Sequence, residues 1–269
     1  HMRLINYIEQ LQKKGQRWFI KSEAAQQLGC SAQALQQAIH DLTRKKRLAP
    51  IRGEFVVIIP FEYESWGIVP AEHFIDPLMK YLGLPYYIAV LSAGQFHGAA
   101  HQKPMQFQVV TNQRLRNIKY ERIYIRFLYG NNMPLAPTQR VMVQTGYAIA
   151  ATPETTAFDL CKYYKAAGYW SNIGTVLMEL IEVVDIDKLC HLAVSGVYGM
   201  AIIQRLGYVL SRPEIEGNIF AETLYKAVEH RLFRWVPLCA GQKYIEEFGP
   251  WAKDDKWKIL INSDIEVDL

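Results

Sequence analysis

The sequence predicts an α+β protein of two domains, and three observations predict it. Two short helical patterns, a basic run and a Gly-centred hairpin lie between Ser22 and Phe55; strand-like runs rich in Val, Ile and Tyr follow from Met105 to Thr152; five amphipathic helical patterns come next. Strands gathered in one stretch and helices in another argue for segregated layers, not an alternating doubly wound parallel sheet. The expected architecture is an N-terminal winged helix-turn-helix domain over 2–62, then a larger mixed α/β domain over 63–269 with a helical C-terminal part. The boundary is set near Pro60 and the aromatic, acidic "FEYESWG".

The first helix is read from Leu4, Ile5, Ile8 and Leu11 at helical spacing, ended by Gly15. After the strand-like "RWFI", Ser22 is the expected N-cap of a helix carrying Ala24, Ala25 and Leu28 and closed by Gly29. Ser31 caps the next helix, whose apolar stripe is Leu35, Ala38, Ile39 and Leu42. That stripe puts Gln33, Gln36, Gln37, His40 and Arg44 on the solvent side. "RLAPI" and "EFVVII" flank Arg52-Gly53 and read as a two-stranded wing with Arg52 at its tip.

Helix, glycine turn, capped polar helix, basic tail and hairpin in this order form the pattern that enters the DNA major groove. Gln can pair bidentately with adenine, whereas Lys and Arg hold phosphate. The candidate DNA-binding residues are therefore Arg17, Lys21, Ser31, Gln33, Gln36, Gln37, His40, Arg44, Lys45 and Arg52. Charge agrees. The first sixty residues hold ten Lys or Arg against four acids, a balance of +6, which leaves −2 for the rest of a chain whose net charge is +4.

Apolar residues make up 50% and charged residues 21%, the composition of a folded globular chain. Cys30, Cys161, Cys190 and Cys239 lie far apart with no CxxC pair, so neither a zinc site nor a disulfide framework is indicated, and a cytoplasmic setting is expected. No apolar run reaches the ~18 residues of a membrane span, and no leader is read at the start. His1 before Met2 reads as a tag remnant.

In the larger domain, "FIDPLMKYLGLPYYIAVLSAGQFHG" reads as two helical pieces split by Gly83 and Pro85. "NIKYERIYIRFLY" reads as one half-buried antiparallel strand with Tyr120, Arg122, Tyr124 and Arg126 on one face. "TPETTAFDLCKYY" starts a helix at Thr152 and Pro153 with Ala157, Leu160 and Cys161 buried. No nucleotide-binding loop, GxSxG or HExxH pattern appears, and no cofactor or metal is expected. His97 and His101 lack a third ligand. Asp159 with Lys162 reads as a surface pair on a helix, and Asp264, Glu266 and Asp268 as the wet face of an edge strand. A non-enzymatic protein is expected. Two other readings stay open: a DNA-processing nuclease using those carboxylates, and a repressor governed by a small ligand near Tyr86, Tyr87, Tyr163 and Tyr164.

The segments "APIRGEFVV", "YYIAVLSAGQFHGAAHQKPMQFQVVT", "ATPETTAFDL", "IIQRLGYVL" and "DIEVDL", in this order, resemble the AbiEi-type antitoxins of type IV toxin-antitoxin, abortive-infection systems. The resemblance implies a cytoplasmic antitoxin that represses its own operon through the winged helix. It also implies a C-terminal domain that counters a nucleotidyltransferase-like toxin without a stable complex being required. The expected partners are double-stranded DNA of its own promoter, as inverted repeats bound by two copies, and that toxin. Relatives often carry a more basic C-terminal domain; here a local patch at Arg114, Arg116, Lys119, Arg122 and Arg126 is either a further DNA contact or a solvated strand face.

Overall fold

The computed structural model describes residues 3–99, 105–133, 135–241 and 250–267. The chain forms two compact units: the first is His1–Tyr87, Met105–Gly130 and Arg140–Ile149, the second Ile88–Pro104, Asn131–Gln139 and Ala150–Leu269. Helix and strand are both present throughout, so the fold is α+β.

The first unit opens with α1 (Leu4–Lys13), β1 (Trp18–Ile20), α2 (Lys21–Leu28), α3 (Ala32–Arg44), β2 (Leu48–Arg52) and β3 (Phe55–Ile58). The three strands form an antiparallel sheet in the order β1-β3-β2, with a register shift between Pro50 and Arg52. One core holds the segment together, built from Leu4, Ile8, Phe19, Leu35, Ile39 and Leu48 among others. Ile5 is not in it. The side chain expected in the buried stripe of α1 is 42% exposed, and Tyr7 takes its place. Ser22 is not the cap of α2 either, because that helix starts one residue earlier, at Lys21, and the Ser22 hydroxyl donates to Glu54 at 2.8 Å. Gly29 does end α2, in a left-handed conformation (φ +61°) that a side chain would strain.

The same unit continues with α4 (Ile75–Leu82) and holds most of a six-stranded sheet. Its strands are β4 (Tyr86–Ile88), β5 (Phe107–Thr111), β6 (Ile118–Tyr120), β7 (Ile123–Tyr129), β8 (Thr138–Val143) and β9 (Gly146–Ala151), in the order β6-β7-β5-β4-β9-β8. The sheet is mixed: β5 runs parallel to β7 and β4 parallel to β9, while β6 and β7 form an antiparallel hairpin. Two expectations change here. "YYI", read within a helical stretch, is strand β4, since helix α4 stops at Gly83 and Pro85 disfavours helical backbone at Leu84. "NIKYERIYIRFLY" is not one strand but two, because Glu121 sits at φ +48° and turns the chain.

The second unit carries the helices α5 (Val90–Phe96), α6 (Pro153–Lys162), α7 (Tyr169–Leu180), α8 (Ile186–Val194), α9 (Met200–Leu210) and α10 (Asn218–Val228). A small sheet of β10 (Val236–Pro237), β11 (Ala252–Asp254) and β12 (Ile259–Ile261) has the order β10-β12-β11. Strands of two or three residues have no alternation to read, so the sequence does not announce them. Trp257 is fully buried against Gly207 of α9, where a Cβ would overlap the indole. The edge strand expected at "DIEV" is absent. Ile265 is buried and Glu266 N donates to the Ser171 hydroxyl at 3.0 Å, so the segment is held by α7 and not by a ladder; Asp268 lies outside the described residues.

Candidate nucleic-acid interface

Helix α3 has thirteen residues, roughly 20 Å at 1.5 Å per residue. Ser31 caps it by accepting from Ala34 N at 3.2 Å, and its inner side buries Leu35, Ile39 and Leu42. Gln33, Gln36, Gln37, His40 and Arg44 are all exposed, and their spacing of three, one, three and four residues keeps them on one face. Asp41 borders that face. It accepts from Gln37 Nε2 at 3.3 Å and lies 3.8 Å from His40 Nδ1. Lys45 is exposed at the C-cap, and Lys46 follows in a left-handed conformation (φ +56°) that turns the chain into β2.

Of the other candidates, Ser31 has its side-chain oxygen engaged in the cap, while Lys21 and Arg17 are half-buried at and before the ends of β1. Arg52 is bound inside its own unit. Its Nη2 donates to the Arg116 carbonyl at 2.6 Å, its guanidinium lies 5.7 Å from the Phe127 ring centre, and burial, with Arg116 nearby, lowers its pKa. The hairpin tip is packed too: Glu54 N donates to the Tyr81 hydroxyl at 3.1 Å, which stands where a Cβ at Gly53 (φ +56°) would go. Thus α3 gathers Gln33, Gln36, Gln37, His40, Arg44 and Lys45, while Arg52 points its charge at carbonyls 64 residues on.

The basic patch is not one strand face. Arg114 and Arg116 precede β6 and Arg122 lies in the β6–β7 turn. Three of its four exposed cations lie over rings: Arg114 over Tyr129 at 5.4 Å, Lys119 over Tyr124 at 4.8 Å and Arg122 over Trp66 at 5.2 Å. At exposed sites such pairs are worth about 0.5–1 kcal/mol each.

The residues considered for chemistry in the second unit are differently placed than expected. Asp159 is not on the surface: it is fully buried and accepts from the Tyr198 hydroxyl at 2.6 Å. Lys162 reaches away from it, donating to the Oδ1 atoms of Asn131 (3.2 Å) and Asn132 (3.1 Å), and burial lowers its pKa against the opposing pull of Asp159. α6 is short and carries only two acids and one base over its length, and it is buried on every side from Glu154 to Cys161. Tyr86 donates to Asp76 at 2.8 Å, Tyr87 is wholly buried, and Tyr164 stacks on Trp170 at 5.2 Å, so these rings serve packing. His97 Nε2 is 2.7 Å from the Ala151 carbonyl, and His101 lies outside the described residues. Among the described residues no group of three His, Cys, Asp or Glu could hold a metal, and no helix is long and apolar enough to cross a membrane.

Residues 87–212 match the family model of the AbiEi antitoxin C-terminal domain. The chain carries an AbiEi antitoxin domain. It runs from β4 to just past α9, taking in the strands β5–β9 and the helices α5–α9. The match joins this segment of the chain to a domain described from antitoxins. No curated protein matches the chain. Among solved structures, that described as the crystal structure of RV2827C protein from Mycobacterium tuberculosis is similar, with 15% identity and a TM-score of 0.65 over 94% of this chain and 89% of that one. At such identity the likeness shows the fold alone.

Proposed function

We propose that this AbiEi-domain protein is a type IV antitoxin that also binds DNA. Residues 2–62 act as a winged helix-turn-helix that recognises operator DNA and represses the protein's own operon. Residues 63–269 counter a nucleotidyltransferase-like toxin in the cytoplasm, without catalysis and without a stable complex being required. The observation that carries the DNA part is α3, anchored by Leu35, Ile39 and Leu42 and presenting an outward row of amides with a basic end.

Placed in a major groove, Gln33, Gln36 and Gln37 reach base edges, where a glutamine amide matches adenine N6 and N7. Arg44 and Lys45 then meet phosphate, as do Lys21 and Arg17 at the module's flank. Arg52, held by the Arg116 carbonyl, adds to the positive field from its packed position. Two copies on an inverted repeat, related by a two-fold axis, give the double contact such sites need.

Binding of the full-length protein to its own upstream DNA, across a salt series, tests this. Arg44→Ala is expected to weaken binding to every sequence and to reduce the salt slope by about 1. Gln36→Ala is expected to relax preference at one base pair by about 1–3 kcal/mol and leave the slope alone. Uniform loss across operator variants in Gln36→Ala would remove the base-reading role, and no specific binding by the wild type would remove the repressor.

A further inference from the structure

A cleft of about 640 Å³ lies within the first unit, lined by Arg17, Trp18, Asp76, Lys80, Arg140 and Tyr147 among others. Its charged groups are not equivalent. Lys80 pairs with Asp76 Oδ2 at 2.7 Å, and Asp76 Oδ1 accepts from Tyr86 at 2.8 Å, so that carboxylate is satisfied on both oxygens. Arg17 and Arg140, in contrast, have no side-chain hydrogen bond or ion pair among the described residues. Arg17 is half-buried beside β1, and Arg140 is exposed on β8, the edge strand of the large sheet. Two guanidiniums without acceptors in one concavity form a site for an anion, and the guanidinium's planar fork suits phosphate oxygens. Tyr147, 57% exposed on β9, gives the same cleft an aromatic surface. Glu72 is the one carboxylate of the lining that opposes an anion without a partner of its own among the described residues.

We propose that this cleft binds a phosphate group, gripped by Arg17 and Arg140 with the Tyr147 ring beside the moiety that carries it. The phosphate has two possible sources. One is the backbone of the duplex read by α3, in which case the inference rests on the DNA reading; the other is a free nucleotide, in which case it stands apart from that reading.

Full-length wild type, Arg140→Ala and Glu72→Gln, all with unchanged thermal melts, are titrated with ADP and separately with operator and non-operator duplexes over a salt series. Arg140 is exposed and its side chain makes no hydrogen bond or ion pair among the described residues, so folding is not the readout. If ADP binds the wild type, Arg140→Ala weakens it roughly tenfold, Glu72→Gln strengthens it and duplex affinity is unchanged, the site takes a free nucleotide. If ADP does not bind but Arg140→Ala weakens both duplexes to a similar extent and lowers the salt slope by about 1, the site holds backbone phosphate. If Arg140→Ala alters neither, the cleft is no phosphate site and the proposal is overturned. Should the wild type bind no duplex at all, the DNA reading fails and the ADP titration alone decides the cleft.

Discussion

Helix α3 starts on Ser31 and helix α6 on Thr152, and in both the capping oxygen accepts a backbone N–H three residues on at 3.2 Å. Beyond the cap they part. α3 buries three side chains, packs Ala38 against the same core and turns its amides and basic end outward, whereas α6 buries every residue from Glu154 to Cys161, including two carboxylates. A polar side chain on α3 is therefore available to a partner, while one on α6 already has its partner inside the protein. Asp159 has Tyr198, and Glu154 accepts from Asp185 N at 3.0 Å. Polar residues at helical spacing mean an interface only where one side of the helix is left open.

The strongest way to break this contrast is to remove a polar group from each helix. Asp159→Ala is expected to cost about 3 kcal/mol in urea denaturation, because it removes the buried 2.6 Å hydrogen bond from the Tyr198 hydroxyl and opens a void. Gln36→Ala in α3 should stay within about 0.5 kcal/mol. Equal costs at the two positions would erase the distinction.

A change of intermediate size concerns Tyr86, whose hydroxyl donates to Asp76 and accepts from Ile149 N at 3.1 Å. Burial raises its pKa above the ordinary phenol value, and Asp76 adds to the rise. The unfolded phenol, with a pKa of about 10, ionises first. The stability this gives is therefore present below about pH 10 and is lost as pH climbs above it. Tyr86→Phe is expected to cost about 1–2 kcal/mol at pH 7, leaving Ile149 N without its acceptor, and to make the alkaline decline of the melting temperature shallower. An unchanged alkaline slope in the variant would show that other groups set it.

The caps give the smallest effect. Thr152→Ala should lower stability by about 1 kcal/mol, and Ser31→Ala by less, since Ser31 is exposed and water can replace its hydroxyl. Reversal of that order in paired melts would mean that α3 depends on its cap and not on its core stripe.

Much of the N-terminal module is legible from sequence. The start of α3, its inner stripe, the left-handed Gly29 and the hairpin turn at Gly53 all follow from local rules: a capping hydroxyl, an apolar period near 3.6, and glycine where φ is positive. The order of five loose motifs pointed to the AbiEi family, whose model matches residues 87–212. What the sequence could not decide is the fate of its charged and polar groups. Arg52 reads as a free wing tip, yet its guanidinium is bound to a carbonyl 64 residues away; Asp159 reads as a surface acid, yet Tyr198, 39 residues on, covers it. Glu121 reads as a strand residue and turns a hairpin, because pairing of Ile118 with Ile125 requires the chain to double back. Backbone conformation is set largely by neighbours along the chain, so it can be read there. Solvent access and the partner of a charge are set by whatever packs above it, and only the tertiary structure supplies that.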